Sequence, residues 1–526
     1  MSAREDAGKA ASAASHDRLV GRSWPTLDTA VGRARSWWGR RLLVPAAAVA
    51  VGALGLFMLL FRLGVSEWNP DELTYLHAGA AYVHGSFTLN SQHPLVAKLL
   101  FGLSQQLFGV GATQVRAVSA LASLAIGLGM GVVAGRRYGA TFGIGCALAW
   151  FVLPHAPGDV SRQALLEPVA TTLACLSLLL GWLWITRGAT RWACASGVTA
   201  GCAAGAKLTA GGALLAVLVT ALAVSHTRRR WWQAALAATA ASGVFLLTYL
   251  PAGARGPAML KAMLRYQLAH AERGHPLLIG GHVYQYAPWW TTLYYLVKAL
   301  GWPAVVAIAV LAALALLLNA GTERHLATYL AVAVVVPLTL LSLSPVQLPH
   351  YSYIVQPALL LLACLGLRQL WPVKLQQQHW RLLPRLVAVG LVAPLALVGG
   401  EHVVAVSRTH PTGYALLPAV LRETPTTDRI LVWGYPAVAE AYLGQRVSAA
   451  PCTIAECVDA VVIIDRGVAR RFNNPAIATY LSAERARTRC RIVVQFSICT
   501  VGSPTMATSR STKSGPQPRF VRTGEG

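Results

Sequence analysis

The sequence predicts an all-α polytopic membrane protein that carries a small α/β domain towards its C-terminal end. Hydrophobic residues make up 55% of the chain and charged residues only 12%, about half the charged share of an ordinary soluble domain. Apolar runs of roughly 20 residues, the length that crosses a bilayer as a helix, recur along most of the chain. This composition excludes a simple soluble globule and a disordered chain, and nine cysteines in 526 residues are too few for a disulfide scaffold.

Eleven apolar runs are predicted to be transmembrane helices. The first, residues 42–61, follows a polar tail, residues 1–41, that is predicted to be a disordered cytoplasmic segment. This tail is too long for the charged start of a secretory signal peptide, so the first run is interpreted as a retained anchor. The other ten runs are residues 117–134, 138–153, 165–185, 192–206, 208–224, 231–250, 302–318, 326–343, 353–367 and 386–400.

The positions of Lys and Arg predict how these helices are oriented. The Lys and Arg residues behind the net charge of +25 are scattered between the apolar runs, without the basic stripe and interleaved aromatics of a nucleic-acid-binding protein. Nucleic acid is therefore not predicted as a partner. Loops rich in Lys and Arg stay on the cytoplasmic side of a membrane. With eleven spans, this rule places the N-terminus on the cytoplasmic side of the cell membrane and the C-terminus on the extracytoplasmic side. Five basic residues between positions 251 and 298 fall on the outer side, against this rule, and an external loop that binds phosphate would explain them.

Three external segments result, namely loops 62–116 and 251–292 and an α/β domain at residues 401–502, followed by a disordered tail at 503–526. In the domain, β-branched runs at 430–433, 460–464 and 492–501 predict strands, and helical patterns occur near 414–422, 436–443 and 476–487. Its four cysteines, Cys452, Cys457, Cys490 and Cys499, suit an oxidising compartment. Three disulfide pairings are open, and buried free thiols are the alternative.

The first external loop contains the densest set of ionisable residues. Asp71 and Glu72 are an adjacent carboxylate pair, in which one member can act as a general base and the other can orient a partner. The alternative is an ordinary helix N-terminus, capped by Asn69 and favoured by acidic residues in the first turn. Farther along the same loop lie His93 and Lys98.

Other polar residues lie at the predicted outer ends of the helices. Arg162 and Glu167 precede and open the fourth span, where they can also form an interfacial ion pair. Lys207 lies at a turn between two spans among Gly, Ala and Thr, where it either binds an anion or snorkels to the surface. His275 and Trp289 mark the loop after the seventh span, whose aromatics also fit an interfacial belt. His350 and Tyr351 open the tenth span and can bind a phosphate or cap the helix.

These segments resemble the membrane glycosyltransferases of the GT-C superfamily that include the protein O-mannosyltransferases and the bacterial aminoarabinose transferase of lipid A, a family 39-like group. The resemblance rests on six segments in matching order over residues 42–400: 71–72, 93–100, 161–167, 205–209, 275–290 and 349–357. Glu167 departs from the Asp that the family often has. Loop 251–292 is too short for the β-trefoil insertion of the eukaryotic enzymes, which indicates the bacterial branch.

The resemblance implies a GT-C fold for residues 42–400 and transfer of a sugar from a polyprenyl monophosphate to an acceptor hydroxyl on the extracytoplasmic face. It implies that Asp71 is the general base and that Glu72 orients the acceptor or Asp71. The implied donor-phosphate ligands are Lys98, Arg162, Lys207, His350 and Tyr351, and the implied substrate contacts are His93, Glu167, His275 and Trp289. A phosphate leaves as an anion without a proton, so one base and cations suffice. Attack opposite the phosphate inverts the anomeric centre.

The expected partners are a polyprenyl-phosphate-linked hexose or pentose, a lipid, glycan or protein acceptor, and the surrounding membrane lipids. No cofactor is expected to be obligatory, because no metal-ligand spacing such as HExxH occurs, although external carboxylates and histidines leave a divalent metal open. Two other functions are open. A lipid-linked-sugar transporter or flippase predicts inverted repeats and mid-bilayer charges, and a non-catalytic assembly subunit needs neither the Asp-Glu pair nor the outward lysines.

Overall fold

A computed structural model describes residues 27–155, 159–370, 382–422, 429–444, 447–449, 460–466, 468, 488–493 and 495–501. These residues form a mostly helical molecule with two small sheets. The helices are α1 Leu27–Leu60, α2 Pro70–Val83, α3 Val96–Phe108, α4 Ala112–Tyr138, α5 Ala140–Val152, α6 Leu166–Arg187, α7 Thr190–Ala206, α8 Gly212–Val224, α9 Arg228–Leu247, α10 Gly256–Arg273, α11 Thr291–Leu300, α12 Trp302–Leu318, α13 Gly321–Ser342, α14 Gln356–Leu370, α15 Leu382–Ser407, α16 Leu417–Leu421 and α17 Pro436–Leu443.

All eleven predicted apolar runs coincide with helices, because each run satisfies its backbone hydrogen bonds internally, as a lipid environment requires. Among the described residues, six helices are long and apolar enough to cross a membrane, or up to eight if each of two bent pairs counts as one span. The bends are 73° between the α9 helix and the segment Leu250–Arg273, and 110° between α11 and α12. Helices α5 and α8 are shorter apolar helices. The number eleven therefore remains a prediction.

The N-terminal boundary differs from the prediction. Helix α1 begins at Leu27, so residues 27–41, which were expected to be disordered, continue the apolar helix. Ala, Arg and Trp residues in this stretch tolerate helix well, so the helix extends beyond the apolar run. Residues 1–26 and the predicted tail 503–526 lie outside the described residues.

The loop at residues 62–116, predicted to be external, folds mainly into two helices, α2 and α3, packed tightly against each other. A Cβ atom at Gly79 would overlap the carbonyl oxygen of Lys98, and one at Gly102 would overlap the carbonyl oxygen of Gly79. Only glycine allows this approach of two helix backbones. The contact fixes α3 beside α2, and the loop at residues 84–95 that joins the two helices brings His93 next to Tyr75 of α2.

The loop at residues 251–292, also predicted to be external, contains helix α10 and a short hairpin. Strands β1 Leu277–Ile279 and β2 His282–Tyr284 pair antiparallel, with Leu278 opposite Val283. Gly280 and Gly281 both have positive φ in the connecting turn, the conformation that two-residue hairpin loops need.

The C-terminal unit, by which we mean the described residues between 413 and 501, contains a five-stranded sheet with α16 and α17. The strands are β3 Ile430–Trp433, β4 Val447–Ala449, β5 Val461–Asp465, β6 Thr488–Val493 and β7 Phe496–Val501, in the order β4-β3-β5-β7-β6. Strands β4, β3 and β5 are parallel, whereas β7 and β6 are antiparallel additions. The core of the unit includes Leu73 of α2, so the unit packs directly onto this helix.

Three details of this unit differ from the sequence prediction or lie beyond it. The run 492–501 forms the end of one strand and the whole of the next, because the chain turns at Gln495. The predicted boundary at residue 401 falls inside α15, and the predicted helix at 476–487 lies outside the described residues. Cys499 is disulfide-bonded, Cys452 and Cys457 are not described, and the five cysteines of the helical part are free thiols.

Candidate active site

The segment Asn69-Pro70-Asp71-Glu72 builds a capped helix start. The Asn69 side-chain oxygen accepts a hydrogen bond from the Asp71 amide at 3.0 Å, and Glu72 Oε2 accepts one from the Asn69 amide at 2.8 Å. This reciprocal arrangement is a capping box, and Pro70 suits the first helical position. Asn69 therefore caps α2 as predicted, and the cap also fixes the position of the two carboxylates.

Glu72 is fully buried and its carboxylate is saturated. Besides the Asn69 amide, Glu72 accepts hydrogen bonds from Arg116 Nε at 2.8 Å, from Arg116 Nη2 at 2.9 Å and from the Ala164 amide at 2.6 Å. Four donors occupy the accepting capacity of one carboxylate. In the observed geometry this excludes direct contact with an acceptor, so of the two roles predicted for Glu72 only the orientation of Asp71 is compatible with it.

Asp71, one residue earlier, has a contrasting environment. Its side chain is partly exposed, and within the described residues its carboxylate has no hydrogen-bond or ion-pair partner. It lies within electrostatic range of Lys207, His350 and Tyr351. Asp71 is thus an available carboxylate beside a buried polar cluster.

This cluster joins three distant parts of the chain. Glu167 lies in the first turn of α6, Lys207 directly follows α7, and His350 and Tyr351 belong to a 3-10 helix at Pro349–Val355. Lys207 forms an ion pair with Glu167, His350 Nε2 lies 3.4 Å from the same carboxylate, and Lys207 Nζ lies 3.9 Å from the Tyr351 ring centroid. The structure therefore brings these four predicted site residues together next to Asp71.

A row of aromatic rings leads away from the cluster. His93 lies edge-on to Tyr75 at 6.0 Å and to Tyr266 at 6.3 Å between ring centroids. Tyr266 stacks on His270 at 5.4 Å, and His270 lies 5.7 Å from His275 beside the hairpin. Burial, reinforced by Lys207 and Lys98, lowers the pKa of His93 to about 3. His93 is therefore uncharged at neutral pH and offers hydrogen bonds rather than a positive charge.

The predicted phosphate contact of Lys98 needs correction. Lys98 is fully buried, and its ammonium donates to the Asn90 carbonyl at 2.6 Å, the His93 carbonyl at 2.9 Å and the Tyr82 hydroxyl at 3.0 Å. An ammonium has three donors, so none is left for a phosphate. Lys98 instead fixes the loop that carries His93, and burial lowers its pKa to about 7.

Arg162 likewise has a structural role in this geometry. Its guanidinium donates to the Met58 carbonyl at 2.8 Å and the Phe61 carbonyl at 2.6 Å, and it pairs with Asp159 at 3.3 Å. Carbonyls at a helix C-terminus lack partners within the helix, and Arg162 supplies donors for two at the end of α1. In this geometry Arg162 binds the end of α1 and does not have the predicted contact with a phosphate.

Of the two remaining predicted residues, His275 ends the aromatic row, and nothing in the described structure joins Trp289 to the cluster. Trp289 is 73% exposed, and no ring contact of its side chain occurs in the described part of the chain. The sequence did not identify Arg116, Tyr266 or His270. Arg116 carries no local signal, whereas Tyr266 and His270 occur four residues apart in a helical stretch, a spacing that places them on one face of α10. Among the residues that the structure covers, no group of three or more His, Cys, Asp or Glu is arranged to hold a metal ion.

Comparison with known proteins supports the fold and the resemblance. Residues 92–253 match the family described as dolichyl-phosphate-mannose-protein mannosyltransferase. ArnT from Cupriavidus metallidurans, in a crystal structure with bound undecaprenyl phosphate, is similar over 91% of this chain and 99% of its own at 17% identity and a TM-score of 0.55. Its apo structure is similar over 88% of this chain and 98% of its own at 17% identity and a TM-score of 0.53.

A third structure extends this comparison. The Archaeoglobus fulgidus oligosaccharyltransferase, in its complex with zinc and sulfate, is similar over 88% of this chain and 74% of its own at 10% identity and a TM-score of 0.50. Among curated proteins, none matches this chain by sequence. The described part of the chain has the GT-C fold, and the predicted resemblance to membrane glycosyltransferases of this fold is confirmed.

Proposed function

We propose that this protein transfers a sugar, a hexose such as mannose or a pentose, from a polyprenyl monophosphate to an acceptor hydroxyl on the extracytoplasmic face of the cell membrane. The acceptor is a lipid, a glycan or a protein. Asp71 acts as the general base, and the configuration at the anomeric carbon is inverted. The C-terminal unit lies on the same face as the site.

The observation that carries this proposal is the difference between Asp71 and Glu72. Two adjacent carboxylates share one helix start, yet Glu72 is saturated by four donors while the Asp71 carboxylate is partly exposed and unpartnered in the described structure. A base must reach the hydroxyl proton directly or through one water. Asp71 meets that requirement, and Glu72 does not.

The polar cluster beside Asp71 supplies the groups that a departing phosphate needs. Lys207 and His350 share the carboxylate of Glu167, so their positions are fixed before a substrate binds. Donors that are preorganised around developing negative charge stabilise a transition state without reorganisation. In this assignment Lys207 and His350 face the phosphate, and Tyr351 supports the ammonium of Lys207 through its ring.

The aromatic row gives the sugar a surface. Tyr75, His93 and Tyr266 lie side by side next to the cluster. Their rings can pack against the apolar face of a sugar while their polar atoms hydrogen-bond its hydroxyls. This arrangement favours a sugar between the rings and the Asp71 carboxylate, with its acceptor approaching from the exposed side.

The test is turnover of a panel of radiolabelled polyprenyl-phosphate sugars by purified protein in lipid, comparing the wild type with Asp71→Asn. We expect one donor to be turned over by the wild type and the variant to lose turnover by about 100-fold or more, in the range of general-base catalysis, while it still binds the donor. Glu323→Gln is the matched control, because Glu323 pairs with Arg137 and Tyr138 at another part of the helices and should retain wild-type turnover.

Two results would contradict the proposal. If the wild type binds no lipid-phosphate donor, a transporter of another substrate or an assembly subunit becomes the better assignment. If Asp71→Asn turns over the donor as fast as the wild type, Asp71 is not the base.

A further inference from the structure

The segment between α1 and α2 is attached to the C-terminal region by several hydrogen bonds. Arg62 donates to the Thr409 carbonyl at 2.9 Å. The Tyr442 hydroxyl of α17 accepts from the Trp68 amide at 2.9 Å and donates to the Ser66 carbonyl at 3.4 Å. These contacts connect positions more than 340 residues apart immediately before the helix that carries Asp71.

Glu67 makes the most restrictive contact of this group. Its carboxylate accepts a hydrogen bond from the Tyr414 amide at 3.0 Å and lies directly against Gly413. Gly413 has φ +50, and a Cβ atom there would overlap the Glu67 carboxylate. The pair Gly413-Tyr414 therefore forms a cradle that fits the carboxylate only because residue 413 lacks a side chain.

The cradle is fixed to the sheet of the C-terminal unit. Tyr414 is 1% exposed, and its hydroxyl accepts from the Tyr435 amide at 3.0 Å and hydrogen-bonds Asp465 at the end of β5. Burial raises the pKa of Glu67, with Asp465 adding to the effect. A displacement of the sheet would thus move the residues that hold Glu67.

On its other side, the same segment is held by Arg116. Its guanidinium donates to the Ser66 carbonyl at 3.0 Å and the Glu67 carbonyl at 2.9 Å, and it also binds Glu72. The backbone from Ser66 to Glu72 is therefore hydrogen-bonded on one side to the helical part and on the other to the C-terminal unit. Asp71 lies within this segment.

We propose that the C-terminal unit positions the Asp71 carboxylate, with Glu67 seated in the Gly413-Tyr414 cradle and Tyr442 holding Ser66 and Trp68. This inference rests on the proposed function of Asp71 as the base. Glu67, Gly413 and Tyr442 are positioning residues that touch no substrate. Loss of docking should let the start of α2 shift relative to the cluster, so proton removal slows while the donor, bound by Lys207 and His350, stays in place.

The first experiment compares Gly413→Ala with Gly444→Ala. Both glycines have positive φ, +50 and +64, but a Cβ at Gly444 meets no atom within 4 Å. The two variants therefore share backbone strain and differ in the clash with Glu67. We expect Gly413→Ala to lower kcat by about 10- to 100-fold, as a misplaced catalytic group does, with unchanged donor KM and unchanged helix content by circular dichroism. Gly444→Ala should retain the wild-type kcat.

A double-variant cycle separates docking from general damage. Glu67→Ala removes the carboxylate that the new Cβ would strike, so Gly413→Ala should add little to the loss already caused by Glu67→Ala. Tyr442→Phe should lower kcat in the same direction. Additive effects of Gly413→Ala and Glu67→Ala, or a fall in donor affinity as large as the fall in kcat, would overturn the positioning role.

Hydrogen exchange tests the docking without any donor. Gly413→Ala should speed amide exchange in residues 66–75 by tenfold or more, and Gly444→Ala should not. If exchange in this segment is unchanged, the docking inference is wrong even where turnover is measurable. If exchange in residues 66–75 rises in Gly413→Ala while Asp71→Asn keeps full turnover, the docking inference is supported and the proposed role of Asp71 is wrong.

Discussion

At the scale of single residues, the site shows how two identical functional groups acquire different roles from their surroundings. Glu72 is a charged group kept in the interior by Arg116 and two amides, whereas Asp71 remains partly exposed. A buried charge is tolerated only when it is paired and hydrogen-bonded. The residue types alone do not distinguish the two carboxylates, and the family resemblance assigned the base to Asp71. The structure adds the difference between their hydrogen-bond partners.

The Glu72–Arg116 pair leads to a stability prediction. Arg116→Met should destabilise the protein by about 3–5 kcal/mol, because it leaves a buried carboxylate without its counter-charge. Thermal unfolding in detergent at neutral pH measures this loss. The double variant Glu72→Met and Arg116→Met should be more stable than Arg116→Met alone, since neither charge then remains buried. If the double variant is less stable than Arg116→Met, the unpaired carboxylate of Glu72 is not the cause of the destabilisation.

The sequence predicted those site residues that neighbouring sequence features mark. Asp71, Lys207, Glu167 and His350 each sit next to a helix end or beside Pro or Gly, and the structure assembles them. Arg116 binds Glu72 across 44 residues of sequence, and no periodicity links the two. Lys98 was wrongly predicted to bind phosphate, because a lysine in a polar segment predicted to be external is typical of an anion site. In the structure it is buried, and carbonyl and hydroxyl oxygens of the protein accept its hydrogen bonds.

At the scale of elements, α3 acts as a support for the loop that carries His93. Its glycine contact with α2 fixes the helix, and Lys98 then binds the carbonyls of Asn90 and His93. Continuous apolar runs predicted the long helices, because about 20 apolar residues are the length that crosses a bilayer as a helix. The sequence pattern did not predict the hairpin at 277–284, whose strands of three residues each are too short for a periodic signal.

Lys98 gives this support a measurable pH dependence. Burial lowers its pKa in the folded protein to about 7, from an ordinary value of 10.5. The folded state therefore binds this proton less tightly than the unfolded state, so the contribution of Lys98 to stability is present above pH 10.5 and is lost as the pH falls towards 7. The stability of the wild type relative to Lys98→Met should accordingly rise between pH 7 and pH 10.

Lys98→Met should also destabilise the protein at pH 9, by about 1–3 kcal/mol for each carbonyl left without a donor. The measurement is thermal unfolding of both proteins across this pH range. A constant or falling difference would show that Lys98 is not the titrating group. Lys261→Met, a substitution at an exposed lysine of α10, is the control and should give no pH-dependent difference.

At the scale of the whole molecule, charged residues separate towards two ends of the helices. Arg137 pairs with Glu323 at 2.8 Å, and Arg368 lies 4.4 Å from the Tyr138 ring centroid, so loops predicted to be cytoplasmic do meet. Asp71, Lys207 and His350 gather elsewhere, with the C-terminal unit packed on the adjoining loop. The sequence predicted this separation from loop charges alone, because the rule depends on composition and not on packing.

The orientation itself is testable by labelling from one side of the membrane. Ser86 and Thr322 are both exposed, and they lie in the loop after α2 and in the first turn of α13, respectively. We expect Ser86→Cys in intact cells to react with a membrane-impermeant maleimide and Thr322→Cys to react only after lysis, because basic loops are retained in the cytoplasm. The unsubstituted protein, with its five free helical cysteines, gives the background. The reverse pattern would place Asp71 on the cytoplasmic face, where an extracytoplasmic transferase could not work.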